Sequence, residues 1–285
     1  MEWRGRKGSS NIEDVRATTG GRGRAQVGGI GGLGLVAVLV IGYFLGIDVS
    51  PLLNNPGAVE NTGSAEITQA DQEAAQFASV TLEYTEQVWA QVFRDQVGGT
   101  YTPVKLVLFK GSVASGCGQA SAATGPFYCP EDKKVYLDTD FFTTLQRDLG
   151  AKGDFAMAYV VAHEVGHYVQ DELGFLTKAN AVRARSDQAG SNAISVAIEL
   201  QADCFSGIWA KNVRDQLGAI EANDFQEAFD AAKRIGDDTL QRNAGRRPSP
   251  ESFTHGTSDQ RSGWFAVGLK SGQIKDCNTF AALGL

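Results

Sequence analysis

The chain of 285 residues is 42% hydrophobic, 21% charged and 9% aromatic, with 34 Gly and only 7 Pro, fractions that exclude wholesale disorder and a collagen-like repeat. Its net charge of −7 is unevenly spread: residues 1–27 hold six basic and three acidic side chains, leaving 20 basic and 30 acidic residues in 28–285. An acidic body without a basic stripe excludes nucleic acid as the main partner, because phosphate contacts need clustered Lys and Arg.

From Ala25 to Ile47 the chain carries no charge over 23 positions. As a helix that run reaches about 35 Å, against a hydrocarbon core of about 30 Å. A single transmembrane anchor is therefore expected over 28–47, after a basic arm (1–27) and before a linker (48–67) rich in Pro, Asn, Gly and Ser. The long polar stretch before the span and the lack of a clean small-residue cleavage site after it argue against a cleaved signal peptide. The basic arm before the span, with Asp48 as the first charge after it, puts the N-terminus in the cytoplasm. Everything from residue 48 onward is then expected outside the inner membrane.

Residues 68–285 read as one folded domain. Apolar spacing from Thr68 to Val97 predicts a helix ended by Gly98-Gly99. The runs VKLVLF (104–109) and KVYLD (134–138) predict two strands, separated by a Gly-, Ser- and Ala-rich loop. Asp140 is placed to cap a short helix through about Leu149, and Asp154 opens the run FAMAYVVAHEVGHYVQDEL. Residues 175–190 are a polar helix or loop, a helix follows from Ser191 to Leu217, and Asp224–Ala244 is another. Arg246-Arg247-Pro248-Ser249-Pro250 breaks the pattern before a last helix at 258–271. The fold class is α+β, mostly helical with a small sheet.

Cys117, Cys129, Cys204 and Cys277 all follow the span, and no two form a CxxC knuckle. An even count in an oxidising compartment favours two disulfides. Three pairings are possible. Cys117 with Cys129 and Cys204 with Cys277 is the expected one, the first closing an 11-residue loop (118–128) at about 3 kcal/mol in the chain-entropy picture. The alternative for Cys204, on an apolar helix, is a buried free thiol.

The chemistry concentrates in AHEVGHYV (162–169). His163 and His167 are i and i+4 on a helical run, so both project from one face and can share a metal ion. Glu164 lies where a zinc-bound water would sit, placed to take its proton and pass it to a leaving amine. The uncharged neighbours suit a buried active-site helix, and Gly166 leaves room for close backbone approach. A catalytic zinc takes three protein ligands. His255, the remaining histidine, is distant in sequence, whereas Glu199 and Asp203 lie i and i+4 on an otherwise apolar helix (IELQADCF). Two carboxylates on such a face need compensation. Glu199 as third ligand, with Asp203 accepting a proton from the far nitrogen of a ligand histidine, supplies it. A solvent-facing acidic pair or a structural salt bridge is the competing reading.

The start MEWRGRKGSSNIEDVR, the Gly-rich apolar span, SGCGQASAATGPFYCPEDKKVYLD, AHEVGHYVQ, ELQADCFSGIWA and FTHGTSDQRSGWF together resemble the neutral zinc metallopeptidase family of YpfJ-like bacterial proteins. HExxH with ExxxD is also similar to gluzincins, which implies a zincin-like fold. Some membrane metallopeptidases of that kind carry a later His-Pro with an Arg six residues after the His. His255 and Arg261 keep this spacing, with Gly256 in place of the Pro, and the resemblance implies that they stabilise the oxyanion. It also implies that KVYLD is the edge strand that pairs with an extended substrate. The expected function is a membrane-anchored zinc peptidase, an endopeptidase acting on peptide or protein substrates with one catalytic Zn2+. The alternative is a non-catalytic scaffold on the same fold with structural zinc. The absence of a fourth Cys or His near the motif and the presence of Glu164 favour catalysis.

Overall fold

The computed structural model describes residues 1–17, 66–121, 124–147, 153–221 and 223–284. The expected span at 28–47 lies outside the described residues, and no helix among the described residues is long and apolar enough to cross a membrane.

The chain begins with a short strand, β1 (Ile12–Asp14), which the sequence analysis did not anticipate. Helix α1 (Gln69–Val92) starts at Thr68 with a capping box: the Thr68 hydroxyl accepts from the Asp71 N–H, and the Asp71 carboxylate accepts from the Thr68 N–H. It runs into a π-turn at Phe93–Val97 and stops at Gly98, whose φ of 75° suits a residue without Cβ. Strands β2 (Lys105–Phe109), β3 (Ser112–Ser115), β4 (Gly118–Ser121), β5 (Phe127–Cys129) and β6 (Lys134–Asp138) follow. Then come helices α2 (Phe141–Arg147), α3 (Asp154–Glu172), α4 (Phe175–Arg183), α5 (Gln188–Asn212), α6 (Asp224–Arg234), α7 (Asp237–Asn243) and α8 (Ser258–Ser271). The α+β reading, mostly helical with a small sheet, holds.

The main sheet has the order β1-β2-β6-β5, with β1, β2 and β6 parallel and β5 antiparallel to β6. Leu106, Leu108, Val135 and Leu137 turn one face onto the helical core, while Val107, Phe109, Tyr136 and Cys129 form a smaller cluster on the other. Burial on both faces is why β2 and β6 read as apolar runs. Two expectations are corrected here. KVYLD is an interior strand, paired on both sides; the edge beside the helices is β5. Residues 1–16 are not a separate arm either. Met1 and Trp3 are buried, Trp3 packs edge-on against Phe77 at 5.5 Å, and Ile12 pairs with Leu106 in β2. Three residues of mixed polarity show no strand periodicity of their own, so only the long-range pairing reveals them.

Asp71 ties α1 to the sheet: its carboxylate accepts from Lys110 Nζ at 2.8 Å and from the Thr139 hydroxyl at 2.7 Å. Burial works to raise its pKa, but the bonds from Lys110, Thr139 and Thr68 outweigh it and hold the group well below the usual carboxylate range. The stability it contributes is therefore present above the unfolded pKa of about 3.9 and is lost as pH falls through the lower folded value. Asp71→Asn is expected to cost about 3 kcal/mol at pH 7, since it removes the buried negative charge that Lys110 and Thr139 both bond. The deficit should shrink toward pH 2, measured by urea unfolding at both pH values.

Candidate active site

Helix α3 is sandwiched between the sheet and α1 on one side and α5 and α6 on the other. Every residue from Phe155 to Gln170 except Met157 is buried. That environment explains the lack of charge around HExxH. Gly166 lets α5 approach: a Cβ there would stand 3.2 Å from the Ala202 carbonyl oxygen. Helices α5 and α8 are closer still, because a Cβ on Gly268 would come within 1.8 Å of the Cys204 carbonyl oxygen. These contacts set His163 and His167 on α3 opposite Glu199 and Asp203 on α5.

His163, His167 and Glu199 each offer an atom, all within 4.8 Å of one another, in an arrangement able to hold a metal ion. Nε2 of His163 is 3.1 Å from one Glu199 oxygen, and Nε2 of His167 is 3.5 Å from the other. The far nitrogens are engaged elsewhere, His163 Nδ1 with Asp203 at 2.8 Å and His167 Nδ1 with the Gln170 side-chain oxygen at 2.8 Å. With Nδ1 of each ring engaged by Asp203 or Gln170, Nε2 is the atom turned toward Glu199, and it is the atom a metal would take in place of a proton. Burial lowers the pKa of His163, but Asp203 and Glu199 overcome it and raise it to about 10. Burial opposes ionisation of Glu199 too, yet the two histidines hold it well below the usual range. The pocket is thus electrostatically built for positive charge, and its two imidazoles and one carboxylate suit zinc.

Glu164 is buried beside this group. Burial raises its pKa, and the nearby His167 and His163 partly offset that rise. Helix α3 packs against β5, so the prospective base lies on a helix beside the edge strand. Arg261 is elsewhere than expected. It is buried, and its Nε and Nη2 donate to the two oxygens of Asp203 at 2.9 and 3.0 Å. This fork leaves it committed to Asp203 and not to an oxyanion. His255 does face the site, near enough to Glu199 for each charge to shift the other's titration, and its Nδ1 lies 3.2 Å from Asp237.

The whole chain can be compared with known proteins on this basis. The family described as "Putative neutral zinc metallopeptidase" matches residues 1–280. The chain belongs to that family. An Escherichia coli K12 relative, "Uncharacterized protein YpfJ", is 43% identical over 98% of this chain and 99% of its own length. "Uncharacterized protein Rv2575" of Mycobacterium tuberculosis H37Rv is 44% identical over 65% of each chain. No solved structure matches.

In this family member the structure adds residues that the sequence did not single out. The Tyr159 hydroxyl donates to Asp203 at 2.5 Å, so Asp203 serves His163, Arg261 and Tyr159 together. Tyr159 lies one helical turn before His163, a spacing that could have flagged it. Gln170 orients His167 and is itself fixed by donating to the Ile198 carbonyl at 2.7 Å. Asp237 is fully buried and accepts from the N–H groups of Thr254, His255 and Gly256; nothing local in its sequence marks it. The disulfides join Cys117 to Cys129 and Cys204 to Cys277, as expected. The first fastens the β3–β4 hairpin to β5, and the second fastens α5 to the C-terminal segment one residue beyond Asp203. A cleft of about 380 Å³ between Trp3, Asp71, Lys110 and Phe142 contains none of the site residues.

Arg261→Ala is expected to destabilise the protein by about 3–5 kcal/mol, because it leaves the Asp203 carboxylate buried without its cation. Arg261→Lys should recover only part of that, since an ammonium cannot make the fork. Urea unfolding of the two variants checks both.

Proposed function

We propose that the protein is a zinc-dependent peptidase of the endopeptidase type, attached to the membrane through its apolar segment, with Glu164 as general base. The observation that carries this reading is Glu164 itself: a buried carboxylate beside the His163–His167–Glu199 group, on a helix packed against the edge strand β5. His163, His167 and Glu199 would hold the ion, with Asp203 and Gln170 fixing the imidazoles. Zinc bound there supplies Lewis acidity toward a peptide carbonyl. An extended peptide adds to the open edge of β5 through main-chain hydrogen bonds, which gives little side-chain selectivity. Glu164 takes the proton of the attacking water and delivers it to the leaving amine; burial, which raises its pKa, suits it to that exchange. His255, kept in place by Asp237, donates from Nε2 to the oxygen that gains charge. Asp203, Arg261 and Tyr159 act through His163 and touch no substrate.

The test is the zinc content of the purified full chain, together with its hydrolysis of casein before and after chelation. One zinc per chain, with activity lost on chelation and restored by zinc, is the expected result. A zinc-loaded chain that leaves casein and a panel of unfolded proteins intact would sink the peptidase reading and favour the scaffold.

A further inference from the structure

We propose that residues 1–16 and residues 66–284 lie on the same side of the membrane, so that the apolar segment 25–47 attaches the protein from one face without crossing. The single-pass expectation placed these two parts on opposite sides. The fold joins them. β1 is the parallel neighbour of β2, with Ile12, Glu13 and Asp14 in register with Leu106, Val107 and Leu108. Outside the strand, Asn11 accepts from the Leu106 N–H at 2.9 Å and the Val15 N–H donates to Leu108 at 2.9 Å. Trp3 Nε1 donates to Asp154 at 3.0 Å, and the Met1 ammonium lies 2.8 Å from Asp154 and 2.9 Å from Asp224. Moving residues 1–16 across a bilayer would uncover Met1, Trp3 and the β2 edge at once.

The points of exit and return also coincide. The Arg16 guanidinium donates to the Asp71 carbonyl at 2.7 Å and to the Gln72 side chain at 3.3 Å. The chain therefore leaves the described fold beside the first turn of α1 and re-enters it at that same turn. A chain that starts and ends on one side crosses an even number of times. The 23 uncharged residues supply about one crossing, whereas two need about 40 apolar residues. The number of crossings that remains is zero.

The charges behind the single-pass expectation point the same way. Of the six basic residues before the span, Arg6 pairs with Glu2, Lys7 with Glu83 and Arg16 with Asp14, while Arg4 stacks on Trp3. Lys7 thus reaches α1, the buried Arg16 also bonds Asp71 and Gln72 there, and only Arg22 and Arg24 stand outside the described fold. A count of charges along the sequence treats all six as a cytoplasmic flank; four of them belong to the folded segment that packs on the domain.

The inference does not depend on peptidase activity, and its readout is accessibility. Lys7 and Lys233 are exposed, and no free cysteine is present to react in their place. Lys7→Cys and Lys233→Cys in the full chain would each be treated with a membrane-impermeant maleimide in intact spheroplasts and again after lysis. The expected result is that the two positions label alike, within about twofold, both in spheroplasts or both only after lysis. One position labelling in spheroplasts and the other only after lysis would establish a single crossing and overturn the proposal. Fractionation tests the attachment. The parent should sediment with membranes, and a variant lacking residues 25–47 should become soluble with its unfolding midpoint unchanged. A parent found in the soluble fraction would overturn attachment.

Discussion

Glu164→Gln is expected to bind zinc as the parent does and to lose peptide hydrolysis by about 10²–10⁴-fold. The amide keeps the size and shape of the side chain, so the packing around it survives. What it cannot do is hold a proton in transit between water and the leaving amine. Equal zinc content and an equal unfolding midpoint, with casein hydrolysis at background, would be the expected triad of results. Parental rates in this variant would mean that the proton moves through another group, and His255 would be the first to examine. The same substitution separates the two readings of the fold, because a scaffold with structural zinc has no activity to lose.

Glu199→Ala is expected to lower zinc affinity by more than the roughly 10–100-fold that follows loss of an outer partner such as Asp203. Glu199 is the one carboxylate of the trio, and it lies 3.1 and 3.5 Å from the two imidazole nitrogens. Its removal leaves a two-histidine site short of charge and of a third donor atom. Titration of the metal-free protein with zinc in the presence of a competing chelator measures the difference. Asp203→Ala should show a second effect that Glu199→Ala lacks, a loss of stability, because Arg261 and Tyr159 both lean on Asp203. A Glu199→Ala variant with parental affinity would move the third ligand to His255, which faces the same pocket.

The sequence by itself determined the helices that carry the chemistry and most of the chemistry on them. His163 and His167 at i and i+4, and Glu199 and Asp203 at i and i+4 on a second apolar helix, are local patterns. The period of the α-helix fixes which way such residues point before any tertiary contact is made. The pairing of Cys117 with Cys129 was legible for a similar reason, being close along the chain. What the sequence could not determine was any relation between distant segments whose residues have little pattern of their own. The resemblance gives Arg261 an oxyanion role through its place six residues after His255, yet such a match does not say which buried charge a guanidinium meets. In the fold that charge is Asp203, 58 residues away. The resemblance made KVYLD the edge strand, but its neighbour β5 is three residues long, too short to show alternation in the sequence. Asp237 carries no signal at all, since its role consists of three amide groups that a separate loop brings to it. The N-terminal segment is the largest case. Its basic residues and the apolar run after it obey a membrane rule written in one dimension. Only the parallel pairing of Ile12–Asp14 with β2 joins the first residues to the domain that carries the candidate site, because strand pairing is a contact between backbones that side-chain composition does not encode.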